Sequence, residues 1–132
     1  MSKTMQVRTN SQKQFVNITS EVQSAVRDSG VENGICVVYV PHTTAGVTIN
    51  EAADPSVVKD IQSKLTELVP RRGNYAHAEG NADAHIQTSV VGPSVTLIIE
   101  SGRIALGTWQ GIFFCEFDGP RRRTFMVQTV EG

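Results

Sequence analysis

The chain has 132 residues, of which 39% are hydrophobic and 19% charged, and its formal net charge is −1. This length suits one domain with its own core and is too short for two, so residues 1–132 are interpreted as a single domain. The composition excludes a disordered chain, and the weak net charge does not favour nucleic acid as a partner. No apolar run reaches the roughly 18 residues of a membrane span, and the polar N-terminus lacks a signal-peptide stretch. We therefore expect a cytoplasmic protein that does not bind a membrane.

The first half of the chain predicts strands on either side of one helix. Residues 4–17 alternate around a polar break and indicate two short strands. Ser20 followed by Gln23 is a capping-box pattern, and Gly30 is expected to end the helix that starts there. The run GICVVYV is nearly continuous in β-branched residues and predicts a central strand buried on both faces. A further strand, AGVTINE, follows it.

The second half predicts two more helices and a strand-rich C-terminal part. Asp54 and Pro55 form an N-cap followed by proline at the first helical position, and the helix is expected to end before Pro70. Residues 71–80 indicate a polar surface loop, after which Asn81 caps a short helix. Strands are predicted in SVTLIIE, IALGTWQGIFFCEF and RTFMVQTV. These elements predict an α+β domain in which a mixed, largely antiparallel sheet is covered by two to three helices.

The three histidines are the first candidates for chemistry. His42 follows the predicted buried strand, while His77 and His85 share the polar segment NYAHAEGNADAHI. Imidazole moves protons near neutral pH, and three histidines can supply the protein ligands of a catalytic metal ion. Their spacing matches no compact metal motif, so three independent surface histidines are the alternative. The polar context favours a shared site with His42, His77 and His85 as metal ligands.

The segment GTWQGIFFCEF supplies a second set of candidates. Strand alternation places Gln110 and Glu116 on one face and Trp109 on the other. Glu116 is either an edge-strand charge that prevents aggregation or a carboxylate that faces a cavity and can accept a proton or pair with arginine. Trp109 beside Gln110 suits stacking on a flat heterocycle, although tryptophan is equally common in a core.

Two further features concern anions. Thr43 and Thr44, with nearby backbone amides, can bind an oxyanion or can simply favour β structure. The cluster Arg121–Arg123 is either an anion-binding group or the solvated end of a hairpin. The chain has no Walker loop, no GxGxxG and no GxSxG motif, so nucleotide hydrolysis and serine-hydrolase chemistry have no support.

Three segments together resemble the YjbQ-like family, whose members are labelled secondary thiamine-phosphate synthases. These segments are PHTTAGVTINEAADP, NYAHAEGNADAHI with the following SVVGPS, and SGRIALGTWQGIFFCEFDGPRRR. The resemblance spans residues 11–132. It implies an α+β fold, a compact homotrimer and a polar pocket near the subunit interfaces. It also implies an activity that joins a pyrimidinylmethyl diphosphate to a thiazole phosphate.

The family's motifs fall on individual residues of this chain, and the first of the hypotheses below gives roles to candidate residues. The family's histidine pattern falls on all three histidines of this chain. Glu51, Glu116 and His85 are the expected catalytic residues. The expected substrate-binding residues are Thr43, Asn50, Trp109, Gln110, Arg121 and Arg123.

Three hypotheses follow for the function. The first is a metal-assisted enzyme that acts on a phosphorylated or otherwise anionic metabolite, with thiamine-phosphate synthesis as the suggested reaction. Three imidazoles suit Zn²⁺ or another transition metal, whereas a diphosphate substrate would suit Mg²⁺. The second is a metal-free enzyme in which a histidine is the general acid or base. The third is a non-catalytic trimer that binds a metabolite.

Overall fold

The computed structural model describes residues 2–132, which fold into eight strands and three helices. In chain order these are β1 Ser2–Arg8, β2 Gln14–Asn17, α1 Thr19–Ser29, β3 Gly34–Tyr39, β4 Ala45–Glu51, α2 Pro55–Leu68, α3 Ala82–Val91, β5 Ser94–Glu100, β6 Arg103–Ile104, β7 Gln110–Glu116 and β8 Arg122–Glu131.

The strands form two sheets in which every described pair runs antiparallel. One sheet has five strands in the order β1-β8-β3-β5-β6, and the other has three in the order β2-β7-β4. With three helices packed around the sheets, this arrangement confirms the predicted α+β fold class. No helix within residues 2–132 is long and apolar enough to cross a membrane.

The main core lies where the inner faces of the two sheets and α1 meet. Phe114 on β7 and Phe125 on β8 are fully buried there, with ring centroids 6.5 Å apart. Val22 and Val26 of α1 belong to the same cluster. A second cluster lies on the other side of the three-stranded sheet, where Phe113 packs with residues of α2 and α3. The three-stranded sheet is therefore covered on both faces.

The outer face of the five-stranded sheet, which points away from the other sheet, is uncovered within residues 2–132. Ile35, Ile98 and Val130 lie side by side across β3, β5 and β8, and they are 41%, 57% and 50% exposed. β3 is central in its sheet, as predicted, but the expectation that both its faces are buried was wrong. All three helices pack elsewhere in the fold, so β3 is buried only on its inner face.

The helix ends show where local sequence rules hold. Asp54 accepts a hydrogen bond from the backbone N–H of Ser56, and Pro55 begins α2, as predicted. The capping box predicted for α1 does not form. The side chain of Asn17 accepts from the N–H of Thr19 instead, while Gln23 bonds to the backbone of Gly102 and Ile104. Gln23 is used to tie α1 to the β5–β6 region, which is a long-range contact that the local pattern does not show.

The predicted strand over IALGTWQGIFFCEF is interrupted. Only Arg103–Ile104 and Gln110–Glu116 are strands, and the residues between them turn. The N–H of Gly107 donates to the side-chain oxygen of Gln110 at 2.8 Å, which closes this turn. The turn carries Trp109 away from the core, and the residue is 64% exposed.

Candidate functional site

The expected site residues do not converge within one chain. The ladder between β4 and β7 pairs Ala45 with Glu116 at one end and Glu51 with Gln110 at the other. At about 3.3 Å per residue, the two ends are roughly 20 Å apart. The ladder therefore separates a Glu116 cluster from a Glu51–Gln110 cluster. His77 and His85 form a pair with each other, and within residues 2–132 no side-chain hydrogen bond or ion pair joins them to either cluster.

Glu116 is part of a buried network that joins the two sheets. The residue is 0% exposed, and one carboxylate oxygen accepts hydrogen bonds at 2.8 Å from Thr9 Oγ1 and from Arg123 Nε. The other oxygen accepts from a terminal nitrogen of Arg123 and from the N–H of Asp118. Arg123 also donates to Thr44 Oγ1 at 2.8 Å. Because β7 is the middle strand of its sheet, the interpretation of Glu116 as an edge-strand charge does not apply.

The charge state of Glu116 follows from these contacts. Burial by itself would raise the pKa of the Glu116 carboxyl. The hydrogen bonds from Arg123, from the Asp118 N–H and from Thr9 outweigh burial and lower its pKa below the ordinary value. Glu116 is therefore a carboxylate that is held charged by its donors. Its expected catalytic role stays a prediction, and its visible role is to pair with Arg123.

His42 lies beside this network and uses one ring nitrogen for structure. His42 follows the end of β3, and its Nε2 accepts a hydrogen bond from the backbone N–H of Thr124 on β8 at 3.0 Å. Burial first, and the nearby Arg123 guanidinium second, lower the pKa of His42. A nitrogen that accepts an N–H carries no proton, so the ring is neutral with its hydrogen on Nδ1. Nε2 is consequently not free to bind a metal ion.

His77 and His85 form a separate pair. Their ring centroids are 5.3 Å apart and the rings are nearly perpendicular, at 80°. The nearest carboxylate oxygen to His77 Nε2 belongs to Glu79 and lies 3.8 Å away. Among residues 2–132, no group of three His, Cys, Asp or Glu side chains is arranged to hold a metal ion. The predicted three-histidine metal site was therefore wrong, because Nε2 of His42 is bonded to Thr124 and the other two rings pack edge to face against each other.

Glu51, Asn50 and Gln110 meet at the far end of the β4–β7 ladder. Glu51 accepts from the N–H of Asp54 at 3.1 Å, and the side-chain oxygen of Asn50 accepts from the N–H of Glu51 at 2.7 Å. Gln110 closes the turn that exposes Trp109. The exposed indole agrees with the stacking interpretation rather than with a core tryptophan. The roles of these residues in binding or catalysis stay predictions.

The three consecutive arginines have different environments. Arg121 is bonded to Asp118, with Nε donating to the backbone oxygen at 2.8 Å and a terminal nitrogen to the carboxylate at 3.1 Å. Arg123 is buried against Glu116. Arg122 is exposed and lies directly across the strand pair from Arg8. The substrate-binding assignment of Arg121 and Arg123 thus falls on the two arginines that already have carboxylate partners.

Arg8 and Arg122 line a surface recess that sequence reasoning missed. This arginine recess has a volume of about 530 Å³, and its other lining residues include Gln6 and Thr124. Among residues 2–132, no ion pair joins Arg8 or Arg122 to a carboxylate. Alternation within β1 and β8 could have placed both side chains on one face. Their register could not be read, because the two strands are at opposite ends of the chain.

The two threonines of the HTT segment also differ. Thr44 is buried and its hydroxyl accepts from Arg123, whereas Thr43, the expected substrate-binding residue, is exposed. Thr44 therefore supports the buried ion pair. The role of Thr43 stays a prediction.

Comparison with known proteins identifies relatives along the whole chain. A family model described as UPF0047 protein YjbQ-like matches residues 3–132. A UPF0047 protein of Methanocaldococcus jannaschii is 57% identical over 125 residues, which cover 95% of this chain and 91% of that protein. The UPF0047 protein YugU of Bacillus subtilis is 47% identical over 131 residues, covering 98% and 99%.

Solved structures show the same fold. The crystal structure of a YjbQ/UPF0047 family protein from Clostridium acetobutylicum has a TM-score of 0.96 at 50% identity, and the match covers 97% of this chain and 99% of that one. A YbjQ-like protein of unknown function from Sulfolobus solfataricus has a TM-score of 0.95 at 32% identity, covering 100% and 97%.

These relatives contradict the predicted thiamine-phosphate synthase activity. They are named only by their family, and the Sulfolobus protein is described as being of unknown function. The metal-assisted mechanism also lacks its ligand set among residues 2–132.

Proposed function

The chain belongs to the YjbQ-like UPF0047 family, and we propose that it binds a phosphorylated or otherwise anionic small molecule in the arginine recess. The observation that carries this proposal is the pairing of Arg8 with Arg122 in the β1–β8 register. Neither guanidinium is paired with a carboxylate within residues 2–132.

The charge arrangement favours an anionic ligand. Like charges directly opposite each other on an antiparallel pair destabilise the sheet. An anion between the two guanidiniums removes this repulsion and can accept bidentate hydrogen bonds from each. The side chains of Gln6 and Thr124 add polar groups to the same recess. The recess, at about 530 Å³, is in the range of small-molecule sites.

The test is calorimetric titration of the whole chain with inorganic phosphate and with diphosphate in a buffer free of other polyanions. We expect saturable binding that weakens as salt is added. The substitutions Arg8→Gln and Arg122→Gln should each reduce the affinity by tenfold or more, since a hydrogen bond to a charged group contributes about 1.5–3 kcal/mol.

The matched control is Arg72→Gln, which removes an exposed arginine from the loop before α3. This variant should bind phosphate like the wild type. Equal loss in all three variants would show general charge attraction, and unchanged binding in Arg8→Gln and Arg122→Gln would contradict the proposal.

We also propose that the protein is a homotrimer whose subunits meet through one part of the outer face of the five-stranded sheet, around Ile35, Ile98 and Val130, at the opposite end of β8 from Arg122. Tyr39, which is 45% exposed, lies on the same face of β3 as Ile35, with Val37 between them. A contiguous apolar surface on a sheet face is typical of a protein–protein contact. The family resemblance supports three subunits rather than two.

Light scattering after size exclusion measures the assembly. The wild type should have three times the monomer mass, and Ile98→Lys should shift it towards the monomer. Leu68→Lys, on an exposed leucine of α2, is the control and should leave the mass unchanged. A monomeric wild type, or equal shifts in both variants, would contradict this interface.

Enzymatic turnover stays a prediction. Its expected catalytic residues, Glu51, Glu116 and His85, lie in three different clusters of one chain. A reaction that uses all three requires subunits that bring these clusters together. Incubation of phosphate esters with the protein, followed by phosphorus NMR, distinguishes turnover from binding.

A further inference from the structure

A second recess of about 440 Å³ lies between the loop of residues 69–81 and the start of α3. We call it the aromatic recess, because Tyr75, His77 and His85 all contribute to its lining. Ile86 and small side chains complete the walls. In contrast with the arginine recess, no lysine or arginine is among the lining residues.

The Tyr75 ring is held in place by its own loop. Its hydroxyl donates to the backbone oxygen of Pro70 at 2.5 Å, and its N–H donates to Gly73 at 3.0 Å. A Cβ added at Gly73 would lie 3.0–3.3 Å from atoms of the Tyr75 side chain, so the ring packs directly on the glycine. One wall of the recess is therefore formed before any ligand binds.

The two imidazoles provide further ring surfaces. The His77 and His85 rings are 5.3 Å apart and stand at 80° to each other. Glu79 lies beside His77, with a carboxylate oxygen 3.8 Å from His77 Nε2 and a side chain that is 77% exposed. The face of the Tyr75 ring can attract a cation, and a nearby carboxylate attracts the same charge over a longer distance.

We propose that the aromatic recess binds a quaternary or otherwise methylated ammonium cation. Such a cation has an apolar surface that fits the alanine, isoleucine and tyrosine walls, and a delocalised positive charge that suits ring faces. An anion would find no lysine or arginine among the lining residues, and a neutral apolar ligand would gain nothing from Glu79. This site is separate from the arginine recess and does not depend on the proposed anion binding.

The test is an NMR titration of the whole chain with choline, in the presence of a chelator and at mildly alkaline pH, where ordinary imidazole is neutral. The comparison ligand is the neutral isostere of choline in which a tert-butyl group replaces the trimethylammonium group. Choline should saturate and shift the ring protons of Tyr75, His77 and His85. The isostere should bind about tenfold more weakly, because it loses the attraction between cation and ring. Equal affinity for the two ligands would overturn the proposal.

Substitutions test whether choline binding needs the aromatic ring of Tyr75 and not only its bulk. They also test whether it needs the carboxylate of Glu79 and not only a general negative charge. Tyr75→Leu should weaken choline binding by roughly three- to tenfold, whereas Tyr75→Phe keeps the ring and should restore most of it. Glu79→Gln should weaken binding, while Glu67→Gln, on an exposed glutamate of α2, should not. Wild-type affinity in Tyr75→Leu, or equal effects of Glu79→Gln and Glu67→Gln, would overturn the proposal.

Discussion

Arg122 and Arg123 are neighbours in sequence but lie in opposite environments. Arg123 points inward from β8, is 6% exposed and is bonded to Glu116 and Thr44. Arg122 points outward, is exposed, and faces Arg8 with no carboxylate partner among residues 2–132. The same residue type therefore stabilises the fold on one face of the strand and is available to a ligand on the other.

The difference shows that strand alternation places a structural arginine on one face of β8 and an arginine available to a ligand on the other. A buried guanidinium needs a counter-charge and several acceptors, and the inner face supplies both through Glu116. An exposed guanidinium is solvated and can remain unpaired at small cost. Removing each charge in turn tests whether this division is correct.

The largest effect should follow from Glu116→Gln. This substitution keeps the shape of the side chain but leaves Arg123 buried without its counter-charge. Breaking a buried ion pair in this way costs about 3–5 kcal/mol. Urea unfolding should show a loss of this size, whereas Arg122→Gln should change the unfolding free energy by less than about 0.5 kcal/mol.

A double variant keeps this prediction informative. Glu116→Leu combined with Arg123→Met removes both charges and fills the space with apolar groups, so it should recover much of the lost stability. If Glu116→Gln and Arg122→Gln had equal effects, the inner network would not stabilise the fold more than the outer arginine does.

The second-largest expected effect is a pH dependence of the unfolding free energy that comes from Glu116 on the inner face. The pKa of Glu116 in the folded protein lies below its ordinary value of 4.5, so the unfolded chain binds the proton more readily. The stabilisation is therefore fully present above the unfolded pKa and is lost as the pH falls through the folded pKa. Other carboxylates titrate in the same range.

The quantity to measure is therefore the difference in unfolding free energy between the wild type and Glu116→Gln at each pH. The gap in unfolding free energy between wild type and Glu116→Gln should be largest near neutral pH and should shrink on acidification. A gap that stays constant down to about pH 3, well below the ordinary glutamate pKa, would mean that Glu116 is not the titrating group.

The parts of the fold that sequence could predict depend on neighbours in the chain. The Asp54–Pro55 start of α2 is a local signal, and so is the alternation that placed Glu116 opposite to Phe113 on β7. Arginine pairing was one of the open interpretations of Glu116, and the structure selects it. Which arginine pairs with Glu116 is decided by the packing of one sheet on the other, and the local sequence does not show this packing.

The predictions that were wrong or missing depend on contacts between segments that are distant in the sequence. The predicted metal site required His42 to be free, but its Nε2 bonds to Thr124, 82 positions away in sequence. Arg8 was not a candidate at all, because only the β1–β8 register places it opposite Arg122. Residue type and spacing identified which side chains carry chemistry, while long-range pairing decided which of them meet.

The smallest effect tests the outer face alone. In buffer free of phosphate and at low salt, Arg122→Gln should raise the unfolding free energy by a few tenths of a kcal/mol, because it removes a like charge directly across from Arg8. The gain should vanish at high salt, where exposed charges are screened. Arg103→Gln is the matched control, because Arg103 lies across from Glu100 in the β5–β6 pair. Loss of that opposite-charge pair should lower the unfolding free energy slightly. The two exposed arginines thus differ in the sign of their effect, and the same sign in both variants would show that their cross-strand partners do not decide it.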